Sequence, residues 1–190
     1  MSLRIALIAS AGVMLAAVTP AASSTFSFTM AQNGASNTLS LSNSDNVLTF
    51  SSSAGPGTFT VANTGIYSTF TYALGDYSSF SGDPLTITFA KPVTAVSLTF
   101  GLEDLFGLFG SDFLSETTNT GLSRTFSAPL NASSFEPEGY STLTSSTPFT
   151  SLTITSSNPF AISSVSVPEP AALPLFGFGL LALIGLRRRT

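Results

Sequence analysis

Apolar and polar positions alternate with a period of two in one segment after another, from about residue 25 to residue 167. Alternation of this period is typical of β-strands that bury one face and expose the other. The intervening positions are mostly Ser and Thr, so each predicted strand has a core face and a hydroxyl face. The apolar sets are Phe26, Phe28 and Met30; Phe70, Tyr72 and Leu74; Leu85, Ile87 and Phe89; Val96, Leu98 and Phe100; Leu152 and Ile154; and Ile162, Val165 and Val167 after a slip of one residue.

Turn-forming residues separate these predicted strands. They are Asn33-Gly34, Gly55-Pro56-Gly57, Asn63-Thr64-Gly65, Gly82-Asp83-Pro84, Lys91-Pro92 and Asn158-Pro159. No segment between the strands shows helical periodicity, and the connections are too short for crossover helices. The pattern therefore predicts an all-β fold, an antiparallel β-sandwich of jelly-roll-like type, with helix confined to the two ends of the chain.

Residues 1–22 are predicted to be a secretory signal peptide. Arg4 precedes an apolar run over residues 5–18, and small residues follow as far as a cleavage site near Ala22. The alternatives are a retained membrane anchor and a buried core helix. The run is short for a membrane span and turn-forming residues follow it at once, so we expect a signal helix and export of the chain.

Residues 167–190 have the three parts of a membrane-sorting tail. Pro168, Glu169 and Pro170 come first, an apolar run over residues 171–186 follows, and Arg187, Arg188 and Arg189 come last. An α-helix of this length rises about 24 Å, somewhat less than the roughly 30 Å hydrocarbon core. Arginine clusters stay on the cytoplasmic side, so they orient the predicted transmembrane helix with the preceding chain outside.

This order of parts resembles the PEP-CTERM sorting signal of exosortase substrates in Gram-negative bacteria. The resemblance covers about the last 23 residues. It implies that Pro168, Glu169 and Pro170 are the processing motif and that the membrane protease exosortase is a partner. It also implies a protein of the cell surface or extracellular matrix, associated with exopolysaccharide and biofilm, which the C-terminal helix holds in the inner membrane before processing.

Two other tails are weighed against this resemblance. A Gram-positive sortase signal is excluded, because Phe176 stands where that signal needs threonine and no polar spacer precedes the apolar run. A plain tail anchor stays open as the alternative, although the apolar run is short for a permanent span.

Residues 23–166, between the two terminal segments, have the length of a single domain. Of the ten acidic residues only Glu169 lies in the tail, and of the six basic residues only Lys91 and Arg124 lie in this body, which gives it a net charge of −7. A body without a basic patch has nothing to bind a phosphate backbone. We therefore expect no nucleic-acid partner.

The chain has no cysteine and no histidine. Their absence excludes disulfides, thiolate and imidazole metal sites, and the Ser-His-Asp and Cys-His arrangements of many hydrolases. Glu136 and Glu138 flank Pro137 as a pair of carboxylates, but beside Gly139 this pattern favours a polar turn over a glycosidase site. We expect a non-catalytic protein without a resident cofactor, calcium being the one candidate ligand.

Four carboxylates form the candidate calcium site: Glu103, Asp104, Asp112 and Glu116. Gly101, Gly107 and Gly110 lie among them, and hard oxygen ligands on a flexible loop suit calcium. The spacing does not follow the EF-hand pattern, and a solvated acidic loop is the alternative interpretation.

Two functions of different class stay open. The first is a structural or adhesive protein embedded in a polysaccharide matrix. The second is a carbohydrate-binding or calcium-assisted lectin-like module, for which an exposed aromatic ring would stack on a sugar. The candidate rings are Tyr67, Tyr72, Tyr77 and Tyr140, each with packing in or beside the core as the alternative.

Overall fold

The computed structural model describes residues 23–65, 67–76, 82–103, 112–129 and 136–168. Apart from a short 3-10 helix at Met30–Gln32, the regular structure of these residues is antiparallel β-strand. The strands are β1 (Ser23–Ser27), β2 (Ser40–Ser42), β3 (Val47–Ser52), β4 (Thr60–Asn63), β5 (Tyr72–Gly75), β6 (Leu85–Leu102), β7 (Asp112–Thr118), β8 (Ser123–Ala128), β9 (Glu138–Ser156) and β10 (Phe160–Pro168).

The predicted signal helix and transmembrane helix fall on residues 1–22 and 169–190, outside the described residues. Within the part of the chain that is described, no helix is long and apolar enough to span a bilayer.

The strands form two packed antiparallel sheets, which we call sheet I and sheet II. Sheet I has the order β2-β3-β6-β9-β7-β8 and uses the first half of β6 with the second half of β9. Sheet II has the order β4-β5-β10-β6-β9 and uses the other two halves, while β1 pairs with the last part of β10 beside β5. The prediction of an antiparallel, jelly-roll-like sandwich is confirmed.

The two sheets are continuous through β6 and β9, which are 18 and 19 residues long and run through both. The pairing of β6 with β9 shifts register between Thr88 and Val93 and again between Val93 and Ala95, which marks the crossing. The predicted turn at Lys91-Pro92 is therefore wrong, since both residues lie within β6 at this crossing. Proline is tolerated there because the hydrogen-bond ladder is already interrupted and its missing N–H leaves no partner unsatisfied.

The predicted alternation of apolar and polar residues agrees with which side chains form the core. The apolar sets of β6, β9 and β10 are all buried, and β10 shifts register against β6 between Ile162 and Ser164, where the sequence pattern slips by one residue. Met30 is an exception, because β1 ends at Ser27 and Met30 enters the 3-10 helix with 75% of its side chain exposed.

The outward faces of both sheets are coated with hydroxyl groups that pair across neighbouring strands. Such cross-strand pairs stabilise a sheet without placing charge on its surface. The Oγ–Oγ distances run from 2.8 to 3.3 Å in the pairs Thr25–Ser166, Ser40–Thr49, Thr86–Thr153, Ser97–Thr142, Ser115–Thr125 and Thr117–Ser123.

Candidate functional site

The predicted processing motif begins where the folded sheet ends. Pro168 is the last residue of β10, and it lies opposite Ser23, the first residue of β1. Glu169, Pro170, Arg187, Arg188 and Arg189 lie outside the described residues. The predicted leader and the predicted tail therefore leave the domain from adjacent positions, at one end of the sandwich that we call the tail end.

The last residues of β10 are held from both sides. Ser166 pairs with Thr25 of β1 and with Ser97 of β6. The Thr25 and Ser166 hydroxyls are 2.8 Å apart, and the side chain of Val167 is buried. The segment that leads into the sorting motif is thus part of the folded sandwich, with no linker between them.

The carboxylates of the candidate calcium site lie in different surroundings. Glu103 follows β6 and its N–H donates to Pro159 O at 2.9 Å, whereas Glu116 lies within β7 with its side chain buried in the core. The expectation that Glu116 belongs to the loop is corrected for this reason. Asp104 and the side chain of Asp112 are outside the described residues, and among the residues that are described no three carboxylates are placed to hold a metal ion.

Glu116 joins the two sheets across the core. Ser141, on the half of β9 that belongs to sheet II, donates its hydroxyl to Glu116 Oε1, while Glu116 Oε2 has no hydrogen-bond partner among the described residues. Burial raises the pKa of Glu116 to about 7, against a smaller lowering by the Ser141 hydrogen bond. A buried carboxyl with one unsatisfied oxygen is more stable with a proton than with a charge.

A group of acids at the opposite end of the sandwich, the loop end, was not predicted. Asp76 is buried and its N–H donates to Phe160 O at 3.1 Å, which places it at the start of β10. Desolvation, followed by repulsion from Asp76 and a hydrogen bond to it, raises the pKa of Asp83. Desolvation and the same Asp76 carboxylate raise the pKa of Glu103. Sequence distance hid the place of Glu103 in this group, because Asp76 and Asp83 lie between β5 and β6 whereas Glu103 follows β6.

Glu138 lies in a strand and binds a neighbouring loop, whereas the sequence predicted a polar turn here. It lies in β9 opposite Gly101, and its two carboxylate oxygens accept the N–H groups of Ser68 and Thr69, the latter at 3.1 Å. The glutamate thus fastens the loop that precedes β5 to the edge of sheet II.

The candidate sugar-stacking tyrosines separate into different environments. Tyr67 is buried, with its ring centroid 4.6 Å from that of Phe70, and it packs directly on Gly101, where a Cβ atom would clash with its ring. Tyr72 is half-buried, and Tyr77 lies outside the described residues. Tyr140 is 65% exposed, and hydrogen bonds with Ser97 and Thr142 lower its pKa. Among the candidate tyrosines that the structure describes, Tyr140 is therefore the exposed ring, and it lies on the hydroxyl face of sheet II.

An uncharged groove of about 380 Å³ opens between β1 and β2, which are edge strands of the two sheets. Phe26 and Leu41 contribute to its lining and are buried. Hydroxyl and amide side chains form the rest of its wall, namely Thr25, Ser27, Gln32, Ser40, Ser42 and Asn43. Its chemistry suits a neutral polar chain.

Residues 166–189 match the family model of the PEP-CTERM protein-sorting motif. The resemblance inferred from the tail is thereby confirmed, and the motif marks the chain as an exported protein. The match begins at Ser166, inside β10, so its first three residues belong to the folded sheet. A comparison with curated proteins gives no match.

Among solved structures, the K1 cleaved adhesin domain of Lys-gingipain from Porphyromonas gingivalis W83 is similar at 7% identity and a TM-score of 0.48, over 79% of this chain and 99% of that one. A family 6 carbohydrate-binding module is similar at 16% identity and a TM-score of 0.39, over 64% of this chain and 87% of that one. The fold class itself follows from the strand pairing described above.

Proposed function

We propose that this chain is a non-catalytic structural protein that exosortase processes at the inner membrane of a Gram-negative bacterium and delivers to the cell surface or extracellular matrix. The sorting motif at residues 166–189 carries the proposal. On this proposal Pro168, Glu169 and Pro170 are what exosortase recognises, and Arg187, Arg188 and Arg189 hold the tail at the cytoplasmic side until cleavage.

The surface of the domain supports a place in exopolysaccharide or biofilm. Its outward faces are coated with neutral Ser and Thr hydroxyls, which hydrogen-bond to water and to sugar hydroxyls without the desolvation penalty of a charged group. The body carries only two basic residues. A domain of this kind can be embedded in a hydrated neutral polymer through many weak contacts.

Replacement of Pro168, Glu169 and Pro170 by alanine tests the sorting proposal. The wild-type chain should lose its tail in a host that has exosortase and keep it in a host that lacks the enzyme. The alanine variant should stay uncleaved and membrane-held in both, as judged by the mass and location of the protein. Pro174→Ala, a proline of the same tail outside the motif, is the matched control and should be processed normally.

The three arginines are expected to act by setting the orientation of the tail in the membrane. Changing Arg187, Arg188 and Arg189 to Ser removes their hold on the cytoplasmic side, so this variant should slip outward with its tail uncut. A wild-type chain that keeps its tail in both hosts would show that the tail is a simple anchor.

A carbohydrate-binding module is the second candidate function, and the exposure of Tyr140 favours it. An exposed ring beside the Ser97 and Thr142 hydroxyls combines a stacking surface with hydrogen-bonding groups. Tyr140→Ala should weaken retention on immobilised glycans about fivefold, since loss of one stacking ring costs on the order of 1 kcal/mol. Phe113→Ala removes a ring that is 50% exposed on the other sheet and should leave binding unchanged. The same assay with and without calcium tests the calcium-assisted form.

A further inference from the structure

The first strand of the domain covers the residues that lead into the sorting motif. In the β1–β10 ladder Ser23 lies opposite Pro168, Thr25 opposite Ser166, and Ser27 opposite Ser164. Phe28 N–H donates to Ser163 O at 3.2 Å. Since every second pair of an antiparallel ladder exchanges hydrogen bonds, the Ser24–Val167 pair is bonded through its backbone and the Thr25–Ser166 pair meets through its side chains.

A protein that recognises an extended peptide uses the peptide's main-chain hydrogen bonds and its alternate side chains. Around the start of the sorting motif, the main-chain hydrogen bonds and the side chains already have partners within the domain. Ser166 has a strand on each side, Val167 is bonded to β1, and the Val167 side chain is 4% exposed. A protease cleft cannot take hold of these residues while β1 remains paired with them.

We propose that β1 is a gate over the sorting site, so that residues 23–25 must separate from the end of β10 before the sorting protease can bind the segment that leads into Glu169 and Pro170. This inference rests on the proposed function. The partner of the open gate is the protease's peptide-binding cleft, which takes the place of β1 as the strand beside β10.

The first three residues of β1 are suited to opening. Ser23, Ser24 and Thr25 contribute no large apolar side chain to the core, whereas Phe26, next in the strand, is buried. Beyond the ladder, the side-chain contacts of this segment include Ser24 Oγ to Asp45 Oδ2 at 2.7 Å and Thr25 to Ser166. Local opening at the end of a strand requires little free energy when few apolar contacts are lost. Phe26 then marks where the opening stops.

A disulfide can lock the gate, because the natural chain has no cysteine and the introduced pair would be the only one. Thr25 and Ser166 lie directly opposite each other with side chains in contact, at a separation that a disulfide spans. The variant is T25C with S166C, in the full-length precursor. The control is S97C with T142C, which replaces a hydroxyl contact of 2.9 Å between β6 and β9 on the same face of sheet II.

Tail removal is followed in membranes that contain exosortase, with each variant first oxidised and then reduced. Oxidised T25C/S166C should be cleaved at least about tenfold more slowly than wild type, because the opening that precedes cleavage is blocked. Reduction of the same molecules should restore the wild-type rate, which shows that misfolding is not the cause. The S97C/T142C control should be cleaved at the wild-type rate in both states.

A second variant moves the rate in the opposite direction. Ser24→Ala with Thr25→Ala removes the contact with Asp45 and the contact with Ser166, and should speed cleavage. If oxidised T25C/S166C, with its disulfide verified, is cleaved as fast as wild type, the gate proposal is wrong. The sorting proposal then still stands. A wild-type chain that keeps its tail would overturn both.

Discussion

At the scale of single residues, the buried carboxyl of Glu116 links the stability of the domain to pH. The ordinary pKa of a glutamate is 4.5, and burial raises the pKa of Glu116 to about 7. Between these values the folded state keeps a proton that the unfolded state releases. The contribution of this group to stability is therefore present in full below pH 4.5, falls as the pH rises through this window, and changes no further above about pH 7.

Replacement of Glu116 by Gln should remove this dependence. Gln has nearly the same shape and carries no charge, so it should stabilise the domain by up to about 3 kcal/mol at pH 8 and change stability little at pH 4. Urea unfolding of both proteins at the two pH values measures the difference. Equal stability of wild type and variant at pH 8 would show that the Glu116 carboxyl carries no such cost.

The position of Glu116 is encoded in the sequence by a pattern other than the acidic loop. Nearby glycines and acids suggested a loop. The period-two spacing of Leu114, Glu116 and Thr118 instead places Glu116 on the inward face of a strand, as the structure shows. A charged residue on a core face is easily read as a break in a strand, because burial of a carboxylate is unfavourable unless it is protonated.

At the scale of elements, the crossing of β6 between the sheets depends on Asn46. Its side chain is buried; Nδ2 donates to Lys91 O at 3.2 Å and Oδ1 accepts from Lys91 N at 3.0 Å. The amide replaces ladder bonds that are lost at the register shift beside Pro92. This contact spans 45 residues of sequence, which is why the Lys91-Pro92 pair alone indicated a turn.

Asn46→Asp should destabilise the domain by about 1–3 kcal/mol, because it sets a buried oxygen against Lys91 O where a donor is needed. The matched control is Asn43→Asp. Asn43 Oδ1 accepts from the N–H groups of Asp45 and Asn46, both at 2.9 Å, and a carboxylate can do the same. Thermal unfolding should show a lowered midpoint for the Asn46 variant alone. A similar loss in both variants would assign the effect to added charge.

At the scale of the whole molecule, local sequence patterns predicted the features that depend on neighbouring residues. Alternation predicted the fold class and parts of β1, β5, β6, β9 and β10, whereas β2, β3, β4, β7 and β8 fall in none of the predicted apolar sets. The tail predicted the sorting motif. Local patterns could not predict the strand order, the continuity of the two sheets or the pairing of Ser23 with Pro168. Each of these features joins residues that are distant in sequence. The acid group at Asp76 was missed for the same reason.

The domain also has a direction that the sequence did not reveal. The tail end holds Ser23 and Pro168, while Asp76, Glu103 and Pro159 lie at the other end of β10. On the proposed function, the tail end faces the membrane before cleavage and the acidic loop end points away from it.

The position of β10 has a mechanical consequence. Any pull transmitted through the tail enters the domain next to Pro168, the last residue of β10. Because β10 has β6 on one side and β1 and β5 on the other, a pull along its axis loads these hydrogen bonds together instead of opening them one at a time. Resistance to force is governed by the rate of unfolding, not by equilibrium stability. The strand that leads into the tail is thus one in which such a pull meets several hydrogen bonds in parallel.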